Sequence, residues 1–211
     1  MKQAKWIVVV TLVVLSGMAA AQFGTAQAAR QKGQFQVTST EFQNNTNLPL
    51  SAIYNYPIKG ANYCSYNGTA GGDQSPELSW TNAPSGTQSF AVIVFDVTAG
   101  VVHWGMYNIP PTTTELPQNA GAASSSYGLQ VVNVFSDISY DGPCPPPGVK
   151  PLVHHYVFTV YALDKTLSLP GSANFPATAL TLFRALVKPG ISHVLARATI
   201  TGLYSNNPPS Q

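Results

Sequence analysis

The sequence predicts a mainly β domain, an antiparallel β-sandwich with one or two peripheral helices. Three observations carry that expectation. Short β-rich runs alternate with turn signals over most of the chain, a single segment has helical spacing, and glycine and proline, 17 of each in 211 residues, punctuate the whole length.

The first element is a leader. Lys2 and Lys5 precede an uncharged apolar run from Trp6 to Ala21, followed by two small-residue cleavage signatures, Ala19-Ala20-Ala21 and Ala26-Gln27-Ala28. This is the layout of a secretory signal peptide over residues 1–28, cut after 21 or 28. The run is shorter than the roughly 20 residues that span a bilayer, so the expectation is a secreted or periplasmic product with no transmembrane segment in the mature chain. The competing reading is an uncleaved signal anchor. Of ten Lys and Arg, Lys2 and Lys5 leave with the leader, so eight face eight Asp and Glu. A neutral chain without a basic run excludes nucleic-acid binding by bulk electrostatics, and any bound anion must be held by a local site.

Residues 29–34 read as a flexible segment, 35–204 as one domain and 205–211 as a flexible tail. Strands are expected at 35–39, 77–80, 89–97, 102–109, 131–135, 155–163 and 194–203. The helix is expected at 177–187, with Leu180, Phe183 and Val187 on its buried stripe and Lys188-Pro189-Gly190 as its stop. Cys64 and Cys144 are the only cysteines. In an exported chain a disulfide is expected, against two separate buried thiols or a reactive Cys144, and no neighbouring cation explains a lowered thiol pKa.

The chemistry concentrates where a rigid loop enters a strand. Four prolines within Pro143-Cys144-Pro145-Pro146-Pro147 cannot pair in a central strand, because proline lacks the amide donor, so this loop belongs at a rim. After it, period 2 places His154, Tyr156, Phe158 and Val160 on one face and His155, Val157, Thr159 and Tyr161 on the other. His154 and Tyr156 then lie about 7 Å apart at the rim, within reach of one small ligand. A second polar group stands where an apolar strand ends in Asp96 and the next opens with His103. A hairpin there would pair the two, which by itself is no more than an ion pair at a sheet edge. His155 and His193 read as solvated or core-satisfied histidines, and Trp80 and Trp104 as core aromatics.

Taken together, these blocks resemble the phosphatidylethanolamine-binding protein family, in its bacterial Raf-kinase-inhibitor-like branch. The resemblance runs from about Phe35 to Tyr204, through Ser75-Pro76-Glu77-Leu78-Ser79-Trp80, Asp96 to His103-Trp104, Asn108-Ile109-Pro110, Gly142-Pro143-Cys144-Pro145-Pro146, His154-His155-Tyr156, Tyr161-Ala162-Leu163-Asp164 and His193-Val194-Leu195-Ala196, all in the family's order. It implies a β-sandwich with a small cavity for an anion or a phospholipid headgroup. By position Asp96, His103, His154 and Tyr156 would line that cavity, and Gly142, Pro143, Pro145 and Pro146 would shape its rim. The segment holding Cys64 borders the same cavity in the family, which implies a Cys64 to Cys144 bridge.

Two departures stand out. Where the family writes D-P-D-x-P, this chain has Asp96-Val97-Thr98-Ala99-Gly100, a rim lacking both prolines and the second carboxylate, and Gln74 replaces an asparagine common in bacterial relatives. The function implied is a secreted, non-enzymatic binding protein without a cofactor, acting on a small anion or headgroup and, as some of the family do, as an inhibitor or modulator of a protein such as a peptidase or kinase. The alternative is a metal-dependent hydrolase or oxygenase using Asp96, His103 and His154. There is no G-x-S-x-G elbow for a serine hydrolase.

Overall fold

The computed structural model describes residues 33–172, 175–188 and 193–208. The expected leader, and Pro189 and Gly190 of the expected helix stop, lie outside them. Eleven strands, one α-helix and a short 3-10 helix (Leu50–Ala52) are seen among the described residues: β1 (Gln36–Thr38), β2 (Thr46–Asn47), β3 (Pro57–Ile58), β4 (Ala61–Asn62), β5 (Leu78–Thr81), β6 (Ser89–Asp96), β7 (Val101–Ile109), β8 (Glu115–Leu116), β9 (Leu129–Gln130), β10 (His154–Leu163), α1 (Ala179–Val187) and β11 (Val194–Tyr204).

The main sheet runs β2-β11-β10-β6-β7-β9, a second sheet runs β1-β5-β8, and β3-β4 form a separate hairpin. Every pairing is antiparallel except the two-residue match of β11 with β2. The period-2 apolar runs explain the order, because β6 and β10 alternate side chains between two apolar faces. Phe90, Val92, Val94, Phe158 and Val160 point into one core with Val37, Leu78, Trp80 and Leu116 of the small sheet. Trp80 meets Phe90 at 5.2 Å between ring centroids, so the two sheets pack face to face. Ala91, Ile93, Tyr161 and Leu163 point the other way, onto Leu182 and Leu186 of α1. The result is a β-sandwich with a helix on the outer face of its larger sheet, as expected.

Three details differ from the sequence reading. Residues 131–135 are not a strand: Val132 bridges to Thr178, and then the Asn133 side-chain oxygen accepts from Phe135 N at 2.8 Å and Asp137 N at 3.2 Å, folding the chain into a turn. The buried stripe of α1 is Ala179, Leu182 and Leu186, while Leu180 and Val187 are exposed. Thr178 caps the helix by accepting from Thr181 N, and the helix docks on β6 and β10 by the face one residue round from the stripe expected. Asn206, expected in a flexible tail, is buried and donates to Tyr63 O at 2.8 Å and Pro145 O at 3.2 Å, so it belongs to the folded domain.

Cys64 and Cys144 form a disulfide, with Cα atoms 4.5 Å apart across 80 residues of sequence. The bridge ties the segment after β4 to the proline loop. Among the described residues no helix is long and apolar enough to cross a membrane.

Candidate ligand site at the ends of the central strands

Asp96 ends β6 and stands directly opposite Tyr156 in the β6–β10 register, so the pleat alone brings these two together. Each oxygen of the carboxylate is committed. Oδ1 accepts from the backbone N–H groups of Thr98 at 2.9 Å and Ala99 at 3.0 Å, and Oδ2 accepts from His154 Nδ1 at 2.6 Å. The Tyr156 hydroxyl lies near the same carboxylate, whose charge opposes its ionisation. The Val97-Thr98-Ala99 turn, which lacks the family's prolines, is therefore held by Asp96 itself. Asp96 organises the cluster; its lone pairs are spent on the protein.

The expected Asp96–His103 pair is not formed; the aspartate's imidazole partner is His154. The reason is a β-bulge. Along β6–β7, Val94 faces Trp104 and Phe95 faces Val102, so His103 is the extra residue between two consecutive pairings. A bulge re-aims its side chain. His103 Nδ1 points to the backbone oxygen of Asp141 at 2.9 Å, and its own carbonyl accepts from Asn133 Nδ2 and Asp141 N, both at 3.3 Å. A carbonyl only accepts, so Nδ1 carries the proton and Nε2 is the lone-pair nitrogen of the neutral ring. Burial pushes the His103 pKa below its usual value.

The three rings form a stack with Tyr156 in the middle. His103 meets its edge at 5.1 Å, and His154 lies nearly parallel to it at 6.3 Å. The exposures of Asp96, His103, His154 and Tyr156 are 2, 3, 8 and 1%. His154 is thus a buried member of the cluster, where the sequence had put it at an exposed rim. Burial and the neighbouring Asp96 charge raise the Tyr156 hydroxyl pKa well above normal, keeping it a neutral donor. His155, one residue on, is exposed, with Nδ1 3.5 Å from Thr98 Oγ1, and His193 pairs with Asp164 at 2.8 Å outside the cluster. Trp80 and Trp104 are core residues.

The proline loop forms the adjoining wall. Gly142, Pro143 and Pro145 are buried and Pro146 is exposed. Gly142 is required by space, since a Cβ there would lie 2.1 Å from Ala52 O. Its N–H donates to Asp73 Oδ1 at 2.7 Å, while Pro143 O accepts from Tyr54 N at 3.2 Å.

Two carboxylates that sequence reasoning missed stand at this wall. Asp73 holds Gly142, and Asp141 Oδ2 accepts from Asn133 Nδ2 at 2.7 Å. Burial raises both pKa values to about 6, with each carboxylate opposing its acidic neighbours. Their signal was present in Asp73-Gln74-Ser75-Pro76 and Tyr140-Asp141-Gly142-Pro143, but a search for groups that attract an anion passes over acids. Phe135 covers the His103 ring at 5.2 Å and stacks with Tyr54 at 6.3 Å. For the metal-centre alternative, no group of three or more His, Cys, Asp or Glu among the described residues is arranged to hold a metal ion.

The sequence profile described as "Phosphatidylethanolamine-binding protein" matches residues 38–205, which contain the whole main sheet, the bulged histidine and the proline loop. The chain belongs to this family. It is 40% identical over 172 residues to the UPF0098 protein YbcL of Escherichia coli, covering 78% of this chain and 84% of that protein. It is 33% identical to the UPF0098 protein PH1269 of Pyrococcus horikoshii, covering 97% and 90%. The crystal structure of E. coli YbcL, described as a new member of the mammalian PEBP family, superposes with a TM-score of 0.65 at 33% identity, covering 81% of this chain and 98% of that one. The phosphatidylethanolamine-binding protein homologue CT736 of Chlamydia trachomatis superposes with a TM-score of 0.62 at 25% identity, covering 82% and 98%. The family's binding-protein fold is therefore that of this chain.

Proposed function

We propose that this protein is exported and acts as a non-enzymatic binding protein, taking a small anion or a phospholipid headgroup at the wall between the His103–Tyr156–His154 stack and the Gly142–Pro145 loop. One observation carries the reading. The partners of Asp96 and Asp141 fix the Nδ1 protons of both histidines, so each ring is held in a set orientation with Nε2 as its remaining polar atom. Such a pair meets a phosphoryl group in two ways. A ligand that carries its own O–H donates to Nε2, or an anion draws a proton onto the imidazole as it binds.

The buried carboxylates set the sign of the pH dependence. Above about pH 6 Asp73 and Asp141 are both negative and oppose an anion, and below it they are neutral. Lower pH also favours protonation of His103, whose pKa burial holds below its usual value. All three groups act in one direction, so anion affinity rises as pH falls through about 6. A zwitterionic headgroup keeps an ammonium for these carboxylates and loses less affinity above that pH. The export half of the proposal rests on the leader, and N-terminal sequencing of the released protein at Gln22 or Ala29 checks it.

The site itself is tested by NMR titration with inorganic phosphate and with phosphoethanolamine, at one pH above and one below 6. Shifts confined to the cluster and loop, stronger at low pH for phosphate, are expected. Shifts elsewhere, or phosphate affinity rising with pH, would overturn the reading.

A further inference from the structure

The β3–β4 hairpin turns through Lys59 and Gly60, with φ of 50° and 83°, the left-handed pair of a two-residue hairpin turn. Its flanks are unusually apolar for a surface. Tyr56, Ile58, Tyr63 and Tyr66 are 54, 44, 45 and 52% exposed, and across from them Leu152 and Val153 are 40 and 43% exposed. These residues are contiguous. Tyr56 and Tyr63 meet edge to face at 6.4 Å. Tyr66 shares a groove of about 530 Å³ with Leu152 and Val153, and one of about 360 Å³ with Ile58 and Tyr63. A contiguous apolar patch on a soluble domain marks a contact surface, whereas single exposed apolar residues do not.

Charge identifies the partner. Residues 42–72 and 142–163, which supply this face, contain no Asp or Glu, and their only lysines are Lys59 and Lys150, both exposed. Two copies meeting across it would bring like charges together. The exposed Val134, Phe135 and Ile138 differ in this respect, because Asp137 shares their loop. Tyrosines with a wet hydroxyl and an apolar ring, beside lysines and without acids, match the interface of a bilayer that carries negative lipid.

We propose that this face docks on the surface of an anionic lipid bilayer. Ile58, Tyr63 and Tyr66 enter the headgroup region, and Lys59 and Lys150 meet lipid phosphates. The inference stands on the surface alone and does not need the headgroup site, although the Cys64–Cys144 bridge would bring the proline loop to the membrane with the hairpin.

Co-sedimentation of the purified protein with vesicles tests it, using phosphatidylcholine alone and phosphatidylcholine mixed with phosphatidylglycerol. Binding is expected with the mixed vesicles, weakened by salt. Lys59→Ala and Lys150→Ala should each weaken it about fivefold, and Ile58→Asp with Tyr66→Asp should abolish it. All four positions are exposed, so these variants should fold, which circular dichroism checks. His193→Ala, outside both surfaces, should leave vesicle binding unchanged; loss of vesicle binding with phosphate binding kept in the Ile58→Asp, Tyr66→Asp variant separates the two proposals. Failure of the unmodified protein to bind mixed vesicles would overturn the inference. So would undiminished binding by the Ile58→Asp, Tyr66→Asp variant, or a concentration-dependent dimer that this variant abolishes without any vesicle binding.

Discussion

The two halves of β10 belong to one strand but differ in how many of their faces are covered. From His154 to Val157 the strand alternates, with His154 and Tyr156 buried, His155 exposed and Val157 half-buried. From Phe158 to Leu163 every residue is buried, because the small sheet covers one face and α1 the other. Where both faces are covered the sequence is apolar apart from Thr159. Where one face is open, loops lie close enough to supply backbone donors and carbonyls, and Asp96, His103 and His154 can be buried with partners. A polar cluster therefore forms at the end of the sandwich where one face of β10 stays open.

The strongest way to break this comparison is in the covered half. Phe158 is fully buried and packs on Phe42 at 5.2 Å, so Phe158→Ala should cost about 3–5 kcal/mol in urea unfolding. A loss under about 1 kcal/mol would show that the covered half is not the stabilising one.

Next is the bridge at the open end. Replacing Cys64 and Cys144 by alanine should cost about 2–4 kcal/mol, the typical contribution of a disulfide. Amide exchange should rise in the hairpin and the proline loop, and not in the second half of β10. Uniform acceleration throughout would mean that the two ends are one cooperative unit.

The neighbouring histidines sharpen the comparison within the open half. His154→Ala leaves Asp96 one hydrogen bond short and should cost about 1–3 kcal/mol along with most phosphate binding. His155→Ala should change stability by less than about 0.5 kcal/mol and leave binding unchanged. Equal effects of the two would refute the pleat assignment.

The smallest effect is electrostatic. Asp73 and Asp141 have folded-state pKa values of about 6, above the usual carboxyl value near 4, so the folded protein holds protons that the unfolded chain releases between those limits. Their contribution to stability thus rises as pH falls from 6 towards 4, and the penalty of burying them charged is complete above 6. His103, with a lowered pKa, works the other way and loses stability as pH falls below its usual range. Asp73→Asn with Asp141→Asn should raise Tm at pH 7 by about 2–4 °C, vanish as a difference near pH 4, and flatten the pH dependence of phosphate affinity. A lower Tm at pH 7 would show that their hydrogen bonds outweigh their charge.

Much of this was legible in one dimension. The alternation after the proline loop placed His154 and Tyr156 together and His155 opposite, and it held because a period of two leaves no freedom once one face is buried. The long strands β6, β7, β10 and β11 lie where their apolar runs put them. Two-residue strands such as β2 and β9 have no period to read, and the α1 stripe was misplaced because tertiary packing on β6 and β10 decides which helix face is buried. His103 was assigned to the right cluster with the wrong partner, since a bulge adds one residue without leaving a mark in composition.

By itself the sequence determined the class of fold, the faces of the central strands, the pairing of its only two cysteines and the four residues gathered at one end. The faces follow from alternation, the bridge from the scarcity of thiols, and the four residues from the positions they match in the family's motifs. Only the tertiary structure decided which imidazole Asp96 holds, that its oxygens are used up, and that Asp73 and Asp141 stand at the proline-loop wall. Those depend on register shifts and loop packing between residues separated by 38 to 69 positions along the chain, where a displacement of one residue changes every partner and no local pattern records the choice.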